Sequence, residues 1–202
     1  MRTLPLVPLT VVSAAAVGIG GPLLDASAGP WASALGAALV AGWCYAAIPF
    51  CLGMASTSKV KAAVVGATAL LITVVLYYST KAAQGDFRTV DLSDTSGREF
   101  FSWGEFGSMT LYWCLAGLIL GPPLGLAGRM ARQGSIRLPF QLLVPVVALA
   151  ETMMRLHVEA SAASSPVVWA WESVRATSTA LIVLLIGVAA RKKAQSSFPR
   201  AM

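Results

Sequence analysis

One apolar stretch of the sequence carries ionisable residues where a membrane span is expected. The segment Leu138–Glu159 is long enough to cross a bilayer, yet it contains Glu151, Arg155 and His157. Ionisable groups cost ~2.5–3.5 kcal/mol each at the centre of an inserted helix, so their presence calls for a functional or structural reason. Because Glu151 and Arg155 are four residues apart, the sequence predicts that they form an ion pair on one helix face.

The polar residues of this segment follow that same face. This face is formed by residues at spacings of three or four: Gln141, Pro145, Ala148, Glu151 and Arg155. Leu, Val and Met occupy the opposite face. We predict that the polar face is turned toward protein or water. The structural alternative is that the pair only stabilises the packing of helices.

Other polar and aromatic residues are predicted to lie at the same end of the protein. Glu172 and Arg175 form a second pair at i,i+3 spacing, and Glu105 precedes another apolar segment. The candidate catalytic residues are therefore Glu151, Glu172 and Glu105. The candidate substrate-binding residues are aromatic or basic: Tyr77, Tyr78, Trp103, Tyr112, Trp113, Arg155, His157, Trp169, Trp171 and Arg175.

The composition indicates which class of protein positions these residues. Of the 202 residues, 56% are hydrophobic and 12% are charged, and the mean hydropathy is +0.72. These values exclude an ordinary soluble domain and a disordered chain. The sequence predicts an all-α polytopic membrane protein, with residues 1–202 forming one helical domain in the cell membrane.

Apolar segments of nearly the ~20 residues that a helix needs to cross a bilayer follow one another along the chain. We predict six spans: Leu4–Leu24, Trp31–Met54, Ala62–Thr80, Met109–Ala127, Leu138–Val158 and Val167–Ala190. A cleaved secretory signal fits the first run less well, because it exceeds the roughly 7–15 apolar residues of such signals. In the second span we expect a kink at Pro49.

The positive charges indicate the orientation of these spans. Cations occur at alternate connections, which contain no Asp or Glu: Arg2, Lys59, Lys61, Arg129, Arg132, Arg137, Arg191, Lys192, Lys193 and Arg200. Lys and Arg beside spans are retained in the cytoplasm, so both termini are predicted to be cytoplasmic. The net charge of +6 is then explained by topology and by anionic lipid headgroups, without a nucleic-acid partner.

The long connection at residues 81–108 is predicted to lie on the outer side. Connections of more than ~12–15 residues are usually functional or disordered. Disordered segments are poor in aromatic residues, whereas this one contains Phe87, Phe100, Phe101, Trp103 and Phe106. We therefore expect a lid or re-entrant cap on the outer ends of the helices.

The fourth span contains a row of glycines. Gly117, Gly121, Gly125 and Gly128 recur at intervals of four, four and three residues, with two prolines inside the row. Small residues at such spacing let helix backbones approach closely. The row therefore predicts a close-packing seam.

Parts of the chain between residues 75 and 155 resemble known membrane proteins. Three features carry the resemblance: Tyr77-Tyr78, the Gly-Pro-x-x-Gly-x-x-Gly run at 121–128 with Arg129 directly after it, and Glu151. Together they resemble a family of small actinobacterial six-helix integral membrane proteins of unknown function. Pro123 departs from the aromatic residue or Leu of that family. The resemblance implies a membrane fold and no activity. In size, helical character and intramembrane carboxylates, the chain is also similar to the small integral-membrane terpene cyclases of bacterial antibiotic pathways, although no motif aligns.

The enzyme hypothesis is acid-initiated cyclisation of an isoprenoid. A carboxylic acid in an apolar site retains a proton that it can donate to an epoxide or alkene. Glu151 is the leading donor, and Glu172 replaces it if Arg155 keeps Glu151 ionised. Tryptophan and tyrosine faces would stabilise the carbocation by ~0.5–2 kcal/mol each. This chemistry needs no metal or nucleotide, and the sequence has one His and no zinc-type or acidic diphosphate-binding motif.

Two other functional classes remain open. The Glu/Arg pairs suit a proton-coupled or small-molecule transporter or an immunity protein. The chain also suits a structural subunit of a larger membrane complex. For the enzyme and the transporter, the predicted partners are the lipid bilayer and a hydrophobic or amphipathic small molecule.

Overall fold

The computed structural model describes residues 6–90, 99–134, 136–159 and 165–196. Within these residues the chain forms eight helices and two short strands: α1 (Leu6–Gly18), α2 (Gly20–Asp25), α3 (Pro30–Leu39), α4 (Gly42–Ala55), α5 (Lys59–Gln84), β1 (Arg88–Val90), β2 (Glu99–Phe101), α6 (Trp103–Gln133), α7 (Leu138–Glu159) and α8 (Ser165–Ser196). The prediction of an all-α protein is confirmed.

Five helical segments are long and apolar enough to cross a membrane. They are Leu6–Asp25, Lys59–Gln84, Trp103–Gln133, Leu138–Val158 and Ser165–Lys192. A sixth segment is counted if α3 and α4 form one broken span, since they are bent by 57° at the break between them. The expectation of a multi-pass membrane protein is therefore supported.

The second predicted span is bent at Val40 and Ala41, between α3 and α4. Helix α4 continues through Pro49, and the kink expected there stays a prediction. Ala41 has an extended backbone, which ends the helical hydrogen-bond pattern. A proline inside a helix removes one backbone hydrogen bond. Pro49 is fully buried, so contacts with neighbouring helices compensate for that loss.

The glycine row of α6 forms the seam that the sequence predicts. A Cβ atom added at Gly121 would lie 2.6 Å from the Cα atom of Ala67 on α5, which is closer than side chains approach. Cβ atoms at Gly125 and Gly128 would clash with the carbonyl oxygens of Ala62 and Phe50. The helix is not interrupted at Pro122-Pro123. Helices α4, α5 and α6 therefore pack backbone to backbone.

The remaining helices surround this three-helix core. Helix α1 packs on α5, and a buried cluster of Val17, Cys44, Ile48, Leu52 and Ala69 joins α1, α4 and α5. Helix α7 packs against α4 and α6, and α8 packs against α7 and α3. Helices α7 and α8 leave many large apolar side chains exposed, such as Met153, Met154 and Val183, as expected of surfaces covered by lipid.

We call the two ends of the bundle the hairpin end and the arginine end. At the hairpin end, β1 and β2 pair antiparallel between α5 and α6, with Thr89 opposite Phe100. At the arginine end, Arg129 and Arg132 of α6 donate hydrogen bonds to the carbonyl oxygens of Ser56 (2.6 Å) and Met54 (3.0 Å). These two bonds cap the last turn of α4.

Candidate binding site

Glu151 of α7 caps the broken end of α4. Its Oε1 atom accepts a hydrogen bond from the backbone N–H of Gly42 at 3.0 Å, and its Oε2 atom accepts one from Trp43 at 2.8 Å. The first N–H groups of a helix have no partner within the helix, so a carboxylate from another helix can satisfy them. The next two N–H groups, of Cys44 and Tyr45, bind the carbonyl oxygen of Ala41.

Arg155 completes the surroundings of Glu151. Its Nε atom donates a hydrogen bond to Glu151 Oε1 at 3.1 Å, which confirms the predicted i,i+4 pair. The guanidinium group also lies over the indole ring of Trp171 on α8, 4.9 Å from the ring centroid. Trp171 is only 2% exposed. A cation–π contact in such a desolvated place contributes about 2 kcal/mol, so this group of residues ties α4, α7 and α8 together.

A cavity of about 390 Å³ lies between α4, α5 and α6, beside this ion pair. Its walls are mainly apolar and come from Val40, Gly42, Ala46, Leu70, Val74, Ala116, Gly117, Leu120 and Leu124. Its polar groups come from four aromatic side chains and one cation: Tyr45, Tyr77, Tyr78, Trp113 and Arg155. Volume and lining are those of a site for a small organic molecule.

The hairpin end of the bundle is covered by an aromatic cluster. Phe87 is buried and packs on Tyr78 and Phe106, with ring centroids 6.1 and 5.4 Å apart. Phe101 packs on Trp103 at 4.7 Å. The segment predicted to form a lid thus contains two paired strands and a set of aromatic contacts, and its residues 91–98 lie outside the described part of the chain. Its role as a lid stays a prediction.

Four of the predicted site residues line the cavity, namely Tyr77, Tyr78, Trp113 and Arg155. Glu151 lies behind Arg155 and is held by α4. The other predicted residues do not line it: Glu105, Trp103, Tyr112, His157, Trp169, Trp171, Glu172 and Arg175. Of these, Trp103, Tyr112 and Trp169 are 74%, 64% and 66% exposed.

The second predicted ion pair is present but lies elsewhere. Glu172 and Arg175 form a salt bridge on α8, with side chains 38% and 46% exposed. Glu105 lies in the exposed first turn of α6, and His157 is exposed on α7. The roles proposed for these residues in catalysis or substrate binding stay predictions.

Two parts of the site were missed by reasoning from the sequence. Tyr45 contributes a hydroxyl group to the cavity, and the backbone of Gly42 and Trp43 binds Glu151. Tyr45 could have been found from the sequence, because a tyrosine in the middle of an apolar span is unusual enough to suggest a polar site. Nothing in the sequence marks Gly42 as the start of a helix, because the residues on either side of it, Ala41 and Trp43, are apolar and carry no capping side chain.

The described residues contain no group of three or more His, Cys, Asp or Glu side chains placed to bind a metal ion. Comparisons with known protein families, with curated proteins and with solved structures found no match for this chain. The resemblances inferred from the sequence therefore stay expectations, and the function has to be argued from the site.

Proposed function

We propose that this chain is an integral membrane protein that binds a hydrophobic or amphipathic small molecule in the cavity between α4, α5 and α6. The observation that carries the proposal is the cavity itself, which is apolar over most of its wall and has a few polar groups in one region. Ligand sites of ~300–1,000 Å³ have this composition.

The proposed topology is six spans, with α3 and α4 as one broken span. Both termini are cytoplasmic in this proposal, and the membrane is the cell membrane. The support is the charge distribution: Lys59, Lys61, Arg129 and Arg132 all belong to the arginine end, which is then the cytoplasmic end. The hairpin end and Tyr77 accordingly face the outside.

Isoprenoid cyclisation is the reaction that we propose for this site if the protein is an enzyme. The aromatic rings of Tyr45, Tyr77, Tyr78 and Trp113 favour it, because rings facing an apolar cavity stabilise a carbocation. The surroundings of Glu151 bear on its role as donor. Three N–H donors point to its two oxygens, so a protonated Glu151 would have to give up one of these bonds before it could donate a proton to the substrate. The other candidate donors, Glu172 and Glu105, do not line the cavity.

A transport function is supported by a separate observation. The break between α3 and α4 lies at the cavity, since Val40 and Gly42 contribute to its wall. Discontinuous helices form the substrate sites of many transporters, in which the free helix ends bind polar groups. In this chain the carboxylate of Glu151 already binds the helix start at Gly42. A transport cycle that used this helix start would have to break the bond between Glu151 and Gly42.

Ligand binding is tested by filling the cavity. Ala116 lines the cavity and Leu115, its neighbour on α6, is 50% exposed and does not. The wild type, Ala116→Phe and the control Leu115→Phe are purified in native nanodiscs, and their organic extracts are compared by mass spectrometry. We expect one or a few small molecules enriched in the wild type and in Leu115→Phe, and lost from Ala116→Phe. Equal extracts from all three would refute the proposal.

The cyclase hypothesis is tested with membranes that contain the protein and with farnesylated substrates or their epoxides. An isomeric cyclised product, formed without added cation or nucleotide and unaffected by chelator, supports it. Turnover by Glu151→Gln would show that Glu151 is not the donor. No conversion of any prenyl substrate, together with proton-coupled efflux from proteoliposomes, would favour transport.

A further inference from the structure

The polarity of the cavity wall is sorted along its length. Trp113 and Leu124 line the cavity and lie eleven positions apart on α6, which corresponds to about 16 Å at 1.5 Å per residue. Tyr77 and Trp113 lie toward the hairpin end, and Leu70 and Leu124 lie toward the arginine end. The hydroxyl group of Tyr45 interacts with those of Tyr77 and Tyr78, so the tyrosine and indole groups gather toward one end of the cavity, and the other end is lined by Leu70 and Leu124.

The cavity opens sideways, toward the side of the bundle. Leu120 and Trp113 belong to its wall, yet they are 54% and 47% exposed. Helices α6 and α7 are held together near the arginine end, where Ala131 of α6 packs with Phe140 of α7 and accepts a hydrogen bond from the side chain of Gln141. Farther toward the hairpin end, Arg155 is the one described residue of α7 that lines the cavity, so α7 leaves that side of the wall largely uncovered.

The charged groups around the polar end contain no excess of cations. Glu151 neutralises Arg155, and Lys81 forms a salt bridge with Asp86 at 2.8 Å. The carboxyl group of Asp25 is also near Tyr77. The described residues therefore supply no net positive charge there, and an anionic headgroup would have to give up water without a compensating cation.

From these three features we infer that the ligand is a single-chain amphiphile with an uncharged polar head, such as an alcohol or a quinone. It enters from the bilayer between α6 and α7. Its head lies beside Tyr77 and Trp113, and its chain points toward Leu124. This inference rests on the proposed function, and it specifies the chemical class, orientation and route of the ligand.

The orientation is tested by photolabelling in phosphatidylcholine vesicles. Two hexadecanol probes are used, one with a diazirine beside the hydroxyl group and one with a diazirine near the terminal methyl group. We expect the first probe to label the peptides that contain Tyr77 or Trp113 and the second to label those with Leu70 or Leu124. Unlabelled hexadecyl phosphate should compete at least about tenfold more weakly than hexadecanol, because its charge has no partner in the site.

The route is tested with a matched pair of variants on α6. Leu120→Trp places a bulky ring in the opening, whereas Ile119→Trp places the same ring on a residue that is 71% exposed and does not line the cavity. Saturable labelling should fall severalfold in Leu120→Trp and stay at the wild-type level in Ile119→Trp.

The outcomes separate the two proposals. Saturable labelling with head and tail positions reversed, equal competition by the phosphate, or no effect of Leu120→Trp would overturn this inference and leave ligand binding intact. If no probe gives saturable labelling and the cavity-filling variant Ala116→Phe changes no extract, the proposed function itself fails.

Discussion

Replacing Glu151 is expected to destabilise the protein more than replacing its partner Arg155. In Glu151→Gln the amide keeps one acceptor oxygen, but its NH₂ group must face an N–H donor of Gly42, Trp43 or Arg155. Arg155 also loses its counter-charge in a largely buried place. Breaking a buried pair in this way costs ~3–5 kcal/mol.

The variant Arg155→Met is milder for a reason that the structure provides. The carboxylate of Glu151 retains both backbone hydrogen bonds at the start of α4, where the helix dipole also favours negative charge. The lost charge-assisted hydrogen bond costs about 1.5–3 kcal/mol. The lost cation–π contact is offset because the methionine side chain still packs on the Trp171 ring and no guanidinium group has to be desolvated. In the double variant Glu151→Gln/Arg155→Met, no unpaired guanidinium remains, so its cost should fall below the sum of the single changes by ~0.5–3 kcal/mol.

The assay is thermal unfolding of the detergent-solubilised protein. At ~2–4 °C per kcal/mol for a chain of this size, Glu151→Gln should lower the melting temperature by roughly 6–20 °C. The pair Glu172 and Arg175 serves as control, because its side chains are more than a third exposed and such pairs contribute only ~0.2–1 kcal/mol. Additive shifts for Glu151 and Arg155, or a Glu151→Gln shift no larger than that of Arg155→Met, would refute the reasoning.

Three further predictions concern topology and packing. A cysteine at Ser93, introduced after the natural cysteines are replaced, should react with an impermeant reagent only from outside; reaction from the cytoplasm alone would invert the proposed topology. Gly121→Ala should destabilise the solubilised protein by ~1–3 kcal/mol because α5 and α6 must separate, whereas Gly107→Ala, which meets no atom within 4 Å, should leave the melting temperature unchanged or raise it. A Cβ atom in Gly42→Ala would lie 3.2 Å from a Glu151 oxygen, so this variant should lower the melting temperature by less than Glu151→Gln does; an equal loss would mean that Gly42 matters for another reason.

Local patterns in the sequence predict the features of this fold that depend on one helix. Span positions follow from hydropathy, and the Glu151–Arg155 pair follows from i,i+4 spacing. The glycine row of α6 predicts close packing because spacings of three and four place its members on one face. Each of these needs only the geometry of a single helix, which is regular and known in advance.

Features that depend on which helices are neighbours could not be predicted in this way. The break before Gly42 leaves hydropathy unchanged, and it is stabilised by Glu151, more than a hundred residues away along the chain. Tyr45 and Tyr77 share a cavity only because α4 packs beside α5. The separation of Glu172 from Glu151 depends in the same way on how α8 packs beside α7.

The charges at the two ends of α4 have structural roles, and one of them is Glu151, the leading candidate for catalysis. This 14-residue helix begins at a break next to the cavity, where its free N–H groups bind the carboxylate of Glu151. It ends at carbonyl oxygens that bind Arg129 and Arg132. Negative charge at the start of a helix and positive charge at its end each stabilise its dipole by ~0.3–1 kcal/mol, and more where the site is partly buried.

A helix that starts within a membrane cannot turn to lipid for its hydrogen bonds, so a carboxylate there has a structural reason to exist. That reason is sufficient for Glu151, and Arg155 then follows as its counter-charge. The chemistry of the cavity accordingly rests on the side chains that no structural demand explains. Tyr45 and Tyr77 line this apolar wall, and Tyr78 beside them is hydrogen-bonded to Trp113. A tyrosine hydroxyl group in such a place costs free energy unless it has a partner. A bound molecule with a polar head is the partner that would offset that cost.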